Sequence, residues 1–319
     1  MPYKANKQRK PKRQAYVLMI VLAASILVIT TLSTLAKISL RRAVAAVDAE
    51  RSLQKRWGSM TLERAILKQA PTIFEKRLEQ HRQLSPELPP PIPMIRDAVT
   101  IHGITYDVLL GDEDAKVNLN SVFHQVGATQ TQATIGQLTD GAAAGSITLQ
   151  PATTPQAIRD RDTERSGDEA EIEEPGFPDA FRSWGEVFDA SKLESIIGAD
   201  VALPNVTTRI SCWGSGRLNL SRAADDSIIS VASVIIREPE AEKMVQRYRE
   251  NPTIDIQTLL RTEIQDERDR ERLGKLIGND SNHFSVWISA SSKTGRADLT
   301  FTVSLQDDEG TIQIKKFSF

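Results

Sequence analysis

The most pronounced pattern in the chain is an uninterrupted apolar run near its start. From Ala15 to Ala36 no residue carries a charge. At ~1.5 Å per residue in a helix, this run is long enough to cross a hydrocarbon core of ~30 Å. The apolar region of a cleavable secretory signal is shorter, so we predict a transmembrane helix over 15–36.

Helical periodicity continues beyond the apolar run. The apolar positions that recur at i, i+4 and i+7 are Leu40, Val44 and Val47. Such spacing is typical of one helix face. We therefore predict a helical extension over 37–85, with a restart at Pro71, followed by a stiff proline-rich connector over 86–97.

Alternating apolar and polar residues predict β-structure in two regions. Over 98–126 we expect a small hairpin or meander with an acidic turn at Gly111 to Asp114. Over 281–319 we expect three antiparallel strands. Their apolar face needs a cover, and the outer part of the N-terminal helix is the natural candidate.

The central part of the chain predicts a linker followed by helices. Residues 127–176 are rich in Gly, Ala, Thr, Gln and charge, which favours a flexible acidic linker. The segment 177–280 predicts a mainly helical domain. Its first helix would align four aromatic rings, Phe177, Phe181, Trp184 and Phe188. Another helix would open at Pro239.

These elements together predict an α+β fold. A transmembrane helix continues outside the membrane as a helix that packs on an antiparallel sheet, and the sheet carries an inserted, mainly α-helical domain.

The charge distribution predicts the membrane orientation of the chain and does not indicate nucleic-acid binding. The 40 basic and 42 acidic residues give a formal charge of −2, which offers no general attraction for a polyanion. The leader, residues 1–14, is strongly basic, which favours a cytoplasmic N-terminus and a periplasmic bulk for a single-pass inner-membrane protein. Basic residues beyond the span weaken this contrast: Lys37, Arg41, Arg42 and Arg51.

No arrangement of residues indicates an enzyme. The four histidines have no metal-ligand spacing, and Trp213 and Arg217 occupy positions where a nucleophile elbow needs glycine. Cys212 is the single cysteine, so an intramolecular disulfide is impossible.

A short motif occurs twice, as Lys116-Val117-Asn118-Leu119-Asn120-Ser121 and as Arg217-Leu218-Asn219-Leu220-Ser221. We expect each copy to be a strand end that passes into a helix, with Asn or Ser capping the first turn.

These motifs resemble those of the general secretion pathway protein K family, the minor pseudopilins K of type II secretion. The matching residues are Asp112, Asp114, Asn118, Asn120, Arg217 and Asn219, with a strand entry at Ser281, His283 and Phe284. The order of the segments agrees as well.

The resemblance implies a structural tip-type minor pseudopilin that supports pseudopilus assembly and protein export. Its partners would be the minor pseudopilins I and J, the major pseudopilin and the inner-membrane secretion platform. Prepilin peptidase would cut between Ala15 and Tyr16, although pseudopilins usually carry Gly where Ala15 stands. The family's association with structural calcium makes Asp112, Glu113 and Asp114 candidate ligands.

Two alternatives remain open at this point. A membrane-anchored envelope scaffold would share the anchor and the outer domain. Apolar-Asn-Leu-Asn motifs also open helix-hairpin-helix modules that bind DNA. The sequence between Leu220 and Leu273 has no glycine and many acids, which disfavours phosphate contact.

Overall fold

The computed structural model describes residues 12–84, 93–155, 178–198, 202–292, 297–306 and 311–318. The chain divides into two compact units, one ending at Trp57 and one beginning at Gly58. The helices are α1 Lys12–Leu84, α2 Leu119–Leu138, α3 Ala190–Ile197, α4 Ala202–Val206, α5 Asp225–Ala232, α6 Glu238–Glu250, α7 Ile256–Glu263 and α8 Glu267–Gly274. The strands are β1 Met94–Ile101, β2 Ile104–Asp112, β3 Val117–Asn118, β4 Ile210–Ser211, β5 Leu218–Asn219, β6 Ile277–Gly278, β7 Phe284–Ser292, β8 Asp298–Gln306 and β9 Ile312–Ser318.

Helix α1 runs through Pro71 without the predicted restart. A proline inside a helix costs ~3 kcal/mol because a hydrogen bond is lost and the ring crowds the preceding turn. Ala70 and Phe74, on either side of it, are buried against Leu110 and Phe284. This packing offsets the cost of the proline, so α1 continues through Pro71 as a single helix.

Among the described residues, five antiparallel strands form the main sheet in the order β1-β2-β7-β8-β9. The predicted α+β fold, with a long apolar N-terminal helix, an antiparallel sheet and further helices, is confirmed. The N-terminal strands do not form a separate small β region, because β2 pairs with β7 along its whole length.

The hairpin between β1 and β2 differs from the predicted one. It turns at His102 and Gly103, whose φ angles are 51° and 77°, the conformation of a two-residue hairpin turn. The predicted acidic turn at Gly111 to Asp114 is not this hairpin turn but follows β2, where Asp112 caps the 3-10 turn Glu113–Ala115. Strand β1 also begins inside the predicted connector, and residues 86–92 of that connector lie outside the described residues.

One face of the sheet is covered by α1, as expected. Leu62, Ile66 and Leu67 pack on a strip of sheet residues: Ile104, Tyr106, Val108, Val286, Ile288 and Ala290. Gly58 makes the close approach possible, since a Cβ at this position would lie 2.0 Å from the Tyr106 hydroxyl oxygen. The helix and the sheet thus bury their apolar faces against each other.

The opposite face is covered by the region inserted between β2 and β7. Trp287 and Phe301 lie on this face with ring centroids 4.5 Å apart. Trp213, from the insertion, lies 4.9 Å from Phe301 and 5.1 Å from Trp184. Aromatic contacts therefore join the sheet to the insertion in one core.

The predicted linker over 127–176 is wrong for its described part. Helix α2 extends to Leu138, with a kink at Gly127 where φ is 75°. Residues 147 and 188 then form an isolated antiparallel bridge. Ile135 and Leu138 of this segment are buried in the core. The linker prediction rested on the average composition of 127–176 and did not weigh these two apolar residues. Residues 156–177, with the acidic stretch, lie outside the described residues.

The predicted aromatic helix is also wrong. Phe181, Trp184 and Phe188 are buried as core residues, but only Trp184–Glu186 forms a single 3-10 turn. Phe177 lies outside the described residues. The main-chain N–H of Phe181 donates to the Asn120 amide oxygen at 2.7 Å, so tertiary hydrogen bonding replaces a helical bond here. Further along, α6 begins at Glu238 with Pro239 in its first turn, which agrees with the predicted helix start.

Candidate functional site

A buried acidic turn follows directly on strand β2. Asp112 ends the strand, and Glu113–Ala115 form one 3-10 turn. The Asp112 Oδ1 accepts from the N–H groups of Asp114 and Ala115 at 3.1 and 3.2 Å, which satisfies the orphan donors of the turn. Asp112, Glu113 and Asp114 are at most 2% exposed, so each carboxylate needs a partner.

Asp112 is paired with Arg222 from the loop before α5. The Arg222 Nη1 donates to Asp112 Oδ2 at 2.9 Å, and the guanidinium lies 5.4 Å from the centroid of the Phe74 ring. Burial raises the pKa of Asp112 to about 6, although the hydrogen bonds from Arg222 and Ser281 oppose that rise. Arg222 therefore compensates only part of the desolvation of this carboxylate.

Glu113 is held by one cation and two hydroxyl groups. Lys116 donates to Glu113 Oε1 at 2.6 Å, and both side chains are at most 1% exposed. Ser285 donates to the same oxygen and Ser211 donates to Oε2. The glutamate thereby ties the turn to β4 and to the start of β7.

Asp114 binds two separate loops. Its Oδ1 accepts from the Ser215 N–H at 2.7 Å. Its Oδ2 accepts from the Asn282 and His283 N–H groups at 2.9 and 3.1 Å and from His283 Nδ1 at 2.9 Å. Burial alone would raise the pKa of Asp114, but the bonds from His283 and the amides hold it below its usual range.

His283 responds in the opposite direction. Burial would lower the pKa of its imidazole, but the Asp114 carboxylate and a hydrogen bond to the Gln306 backbone raise it above the ordinary value. The arrangement favours an imidazolium, which completes the charge pairing of the turn.

Three glycines leave room for polar side chains in and near this turn. A Cβ at Gly111 would lie 2.8 Å from Lys116 Nζ, and one at Gly214 would lie 2.9 Å from Asp114 Oδ1. A Cβ at Gly216 would lie 2.9 Å from the Ser121 Oγ. Gly214 and Gly216 also have φ angles of 111° and 81°, a region that favours glycine.

The first Asn motif is a strand end and helix cap, as predicted. Strand β3 pairs in parallel with β4, and the Asn118 side chain accepts from the N–H groups of Asn120 and Ser121 at the start of α2. The Asn120 Nδ2 donates to the carbonyls of Phe181 and Cys212 at 3.2 and 2.9 Å. The motif thus fastens α2 to two distant segments.

The second motif differs in its outcome. Strand β5 pairs in parallel with β6, and Arg217 Nη2 donates to the Ile277 carbonyl at 3.1 Å. Asn219 Oδ1 accepts from the Ser221 N–H at 2.9 Å, but α5 begins only at Asp225. The expectation of a helix start is therefore wrong for this copy, because an Asx turn and a short loop intervene.

Of the six motif residues, Asp112 and Asp114 belong to this turn, Asn118 and Asn120 lie at the start of α2, and Arg217 and Asn219 lie beside and in β5. The basic partners of the two aspartates were not predicted. Arg222 and His283 are 110 and 169 residues from their carboxylates, a separation that no local pattern indicates. The Glu113–Lys116 ion pair could have been predicted from the sequence, because the two residues are spaced i, i+3.

The acidic turn does not fit calcium. Among the described residues, no group of three or more His, Cys, Asp or Glu side chains is arranged to hold a metal ion. Asp112, Glu113 and Asp114 are adjacent in sequence, yet each faces a different protein cation. The prediction that these three residues converge on calcium is corrected accordingly.

The N-terminal part of α1 is the second functional feature. Near the N-terminus this helix contains a segment that is long and apolar enough to span a membrane, with none of that segment buried. This is compatible with a single-pass anchor, and a signal sequence would share these properties. Tyr16 is 67% exposed. The backbone of Ala15 is helical, and residues 1–11 of the leader lie outside the described residues.

Comparison with known proteins gives a distant structural likeness. No family model matches the chain, and no curated protein matches it. A chain in the crystal structure of the GspK-GspI-GspJ complex from the enterotoxigenic Escherichia coli type 2 secretion system is 14% identical, with a TM-score of 0.37. The match covers 79% of this chain and 96% of that chain. A likeness at this TM-score supports no inference about function.

Proposed function

We propose that this chain is a pseudopilin-like structural subunit of a type II secretion or related pilus-like system, and that it acts there as a tip-type minor pseudopilin. The observation that carries the proposal is the division of α1 into two kinds of surface. Residues 16–57 expose large apolar side chains, whereas the part from Gly58 onward packs on an antiparallel sheet.

The exposed surface of the helix needs an apolar environment. Within 16–36 the environment is the membrane core before assembly. Beyond it, Leu40, Val44 and Val47 are 66%, 53% and 46% exposed on one helix face. A continuous apolar stripe outside a membrane is typical of a helix that packs against other helices. The proposed neighbours are the helices of the minor pseudopilins I and J and of the major pseudopilin.

The insertion supports the assignment to the tip. Residues 113–283 separate two adjacent strands of the sheet, and their described part forms a mainly helical region that shares one core with the sheet. We expect this bulk to block the addition of a further subunit above it, while the inner-membrane platform delivers subunits from below. The role needs no catalytic residue.

DNA binding is disfavoured by the use of the motif amides. The Asn118 Nδ2 donates to the Trp213 carbonyl at 3.0 Å, and the Asn219 Nδ2 donates to Ser281 Oγ at 2.7 Å. The side-chain N–H donors of both motifs therefore bond within the protein and are not available to phosphate.

The proposal is tested by the N-terminus of the membrane-extracted protein, expressed with and without prepilin peptidase. A peptidase-dependent N-terminus at Tyr16 is expected. An unprocessed leader in both samples would contradict the pseudopilin assignment and favour a fixed inner-membrane scaffold.

The position in the fibre is tested by cysteine cross-linking. The native Cys212 is fully buried and its pKa is raised well above the usual range by burial, so it gives a low background. Val44→Cys is expected to cross-link to cysteine variants of minor pseudopilin I or J, and not to itself. A ladder of self-cross-linked products would show a repeating subunit and contradict the tip position.

A further inference from the structure

The resemblance implies structural calcium, whereas the acidic turn is built around protein cations. We infer that this turn is a calcium-independent clamp, in which Lys116, Arg222 and His283 supply the positive charge that a metal ion would supply to clustered carboxylates. The inference concerns the architecture of the chain and does not depend on the proposed function.

The hydrogen bonds of the carboxylates support this inference first. Each of the six carboxylate oxygens of Asp112, Glu113 and Asp114 accepts at least one hydrogen bond from the protein. Calcium takes six to eight oxygen ligands at ~2.3–2.6 Å. An ion could enter only by displacing these donors, and the displaced buried groups would lose their partners.

The charges support it independently. Each of the three carboxylates of the described turn already faces a basic side chain of the protein, at 2.6 Å for Glu113 and at 2.9 Å for Asp112 and for Asp114. A divalent cation would bring further positive charge into a desolvated site that already holds these basic groups. Burying unpaired charge is strongly unfavourable.

The clamp joins parts of the chain that are distant in sequence. Glu113 binds Ser211 and Ser285, and Asp114 binds Ser215 and His283. These partners lie in the β4–β5 region and at the entry to β7. The turn at the end of β2 therefore fastens the middle and the end of the insertion to the sheet without a metal ion.

The inference is tested on the full-length chain in detergent by thermal unfolding followed through tryptophan fluorescence, since Trp184, Trp213 and Trp287 are buried. Unfolding midpoints are compared in excess EGTA, in calcium chloride and in magnesium chloride. For the unmodified chain we expect the same midpoint in all three. For Arg222→Met we expect a lower midpoint that calcium does not restore.

Arg237→Met is the matched control, because the Arg237 side chain is 83% exposed. Its midpoint should equal that of the unmodified chain. A calcium-specific rise that the unmodified chain shows and Arg222→Met lacks would overturn the inference, as would a calcium-specific rise in Arg222→Met that exceeds the rise in the unmodified chain. An equal calcium-specific rise in all three proteins would place the ion outside the turn and agree with the clamp. Should Arg222→Met not fold, Lys116→Met takes its place.

Discussion

Asp112 makes the stability of this protein depend on pH in a direction unusual for a carboxylate. Its pKa is raised from the ordinary 3.8 to about 6 because the side chain is fully buried. The difference of about 2.2 pKa units, at ~1.36 kcal/mol per unit, corresponds to about 3 kcal/mol. Because the folded state binds the proton more tightly, this contribution is fully present below pH 3.8 and is lost as pH rises through 6.

Asp112→Asn isolates this contribution. The amide oxygen of Asn can still accept from the N–H groups of Asp114 and Ala115, but the side chain does not titrate. Between pH 4 and pH 7 the free energy of unfolding of the native chain should therefore fall by roughly 2 kcal/mol relative to that of the variant, because part of the contribution is already lost at pH 4, just above the unfolded pKa of 3.8. Urea unfolding of the full-length chain in detergent, followed by tryptophan fluorescence at several pH values, measures this difference.

The comparison between the two proteins removes titrations that do not depend on the Asp112 charge. Asp114 has a lowered pKa, so its contribution is present above its unfolded pKa and is lost as pH falls through the folded value, below the pH 4 to 7 window. Asp140→Asn is a control, because the Asp140 side chain is 81% exposed and its loss should leave the pH dependence unchanged. A difference between native and Asp112→Asn that does not vary between pH 4 and pH 7 would refute the reasoning.

Three further changes test other parts of the structure. Gly214→Ala should lower the free energy of unfolding by ~1–3 kcal/mol, because φ is 111° and the new Cβ would lie 2.9 Å from Asp114 Oδ1. Gly136→Ala in helix α2 should instead raise it by ~0.5–1 kcal/mol, because a Cβ added there meets no atom within 4 Å. Equal urea midpoints for the two variants would contradict this prediction. Asn120→Leu removes three buried hydrogen bonds, two to Phe181 and one to Cys212, and should cost roughly 1 kcal/mol per bond in the same assay; an unchanged midpoint would show that the amide is not needed. Leu22→Asp should cost ~2.5–3.5 kcal/mol of membrane insertion and move the chain out of the membrane fraction, whereas Leu22→Ile should not; equal membrane fractions would argue against the span.

Local patterns in the sequence determined the elements that depend on local physics. The long apolar run predicted the N-terminal helix because its length and lack of charge are themselves the signal. Alternation predicted the C-terminal strands, and Pro239 predicted the start of α6. The Asn118 cap followed from the preference of a short polar side chain for the first helical turn.

Only the tertiary structure decided what depends on contacts between distant residues. The pairing of β2 with β7 and the burial of Ala70 and Phe74 beside Pro71 join segments with no common local pattern. The same holds for Phe181, which was predicted to be helical but whose N–H group donates to the Asn120 side chain instead. The acidic turn is the clearest case: the family resemblance implied a calcium site, because the local sequence does not show which cation faces a carboxylate. Folding brings Arg222 and His283 to that turn, and the resulting charge balance makes it a buried structural clamp.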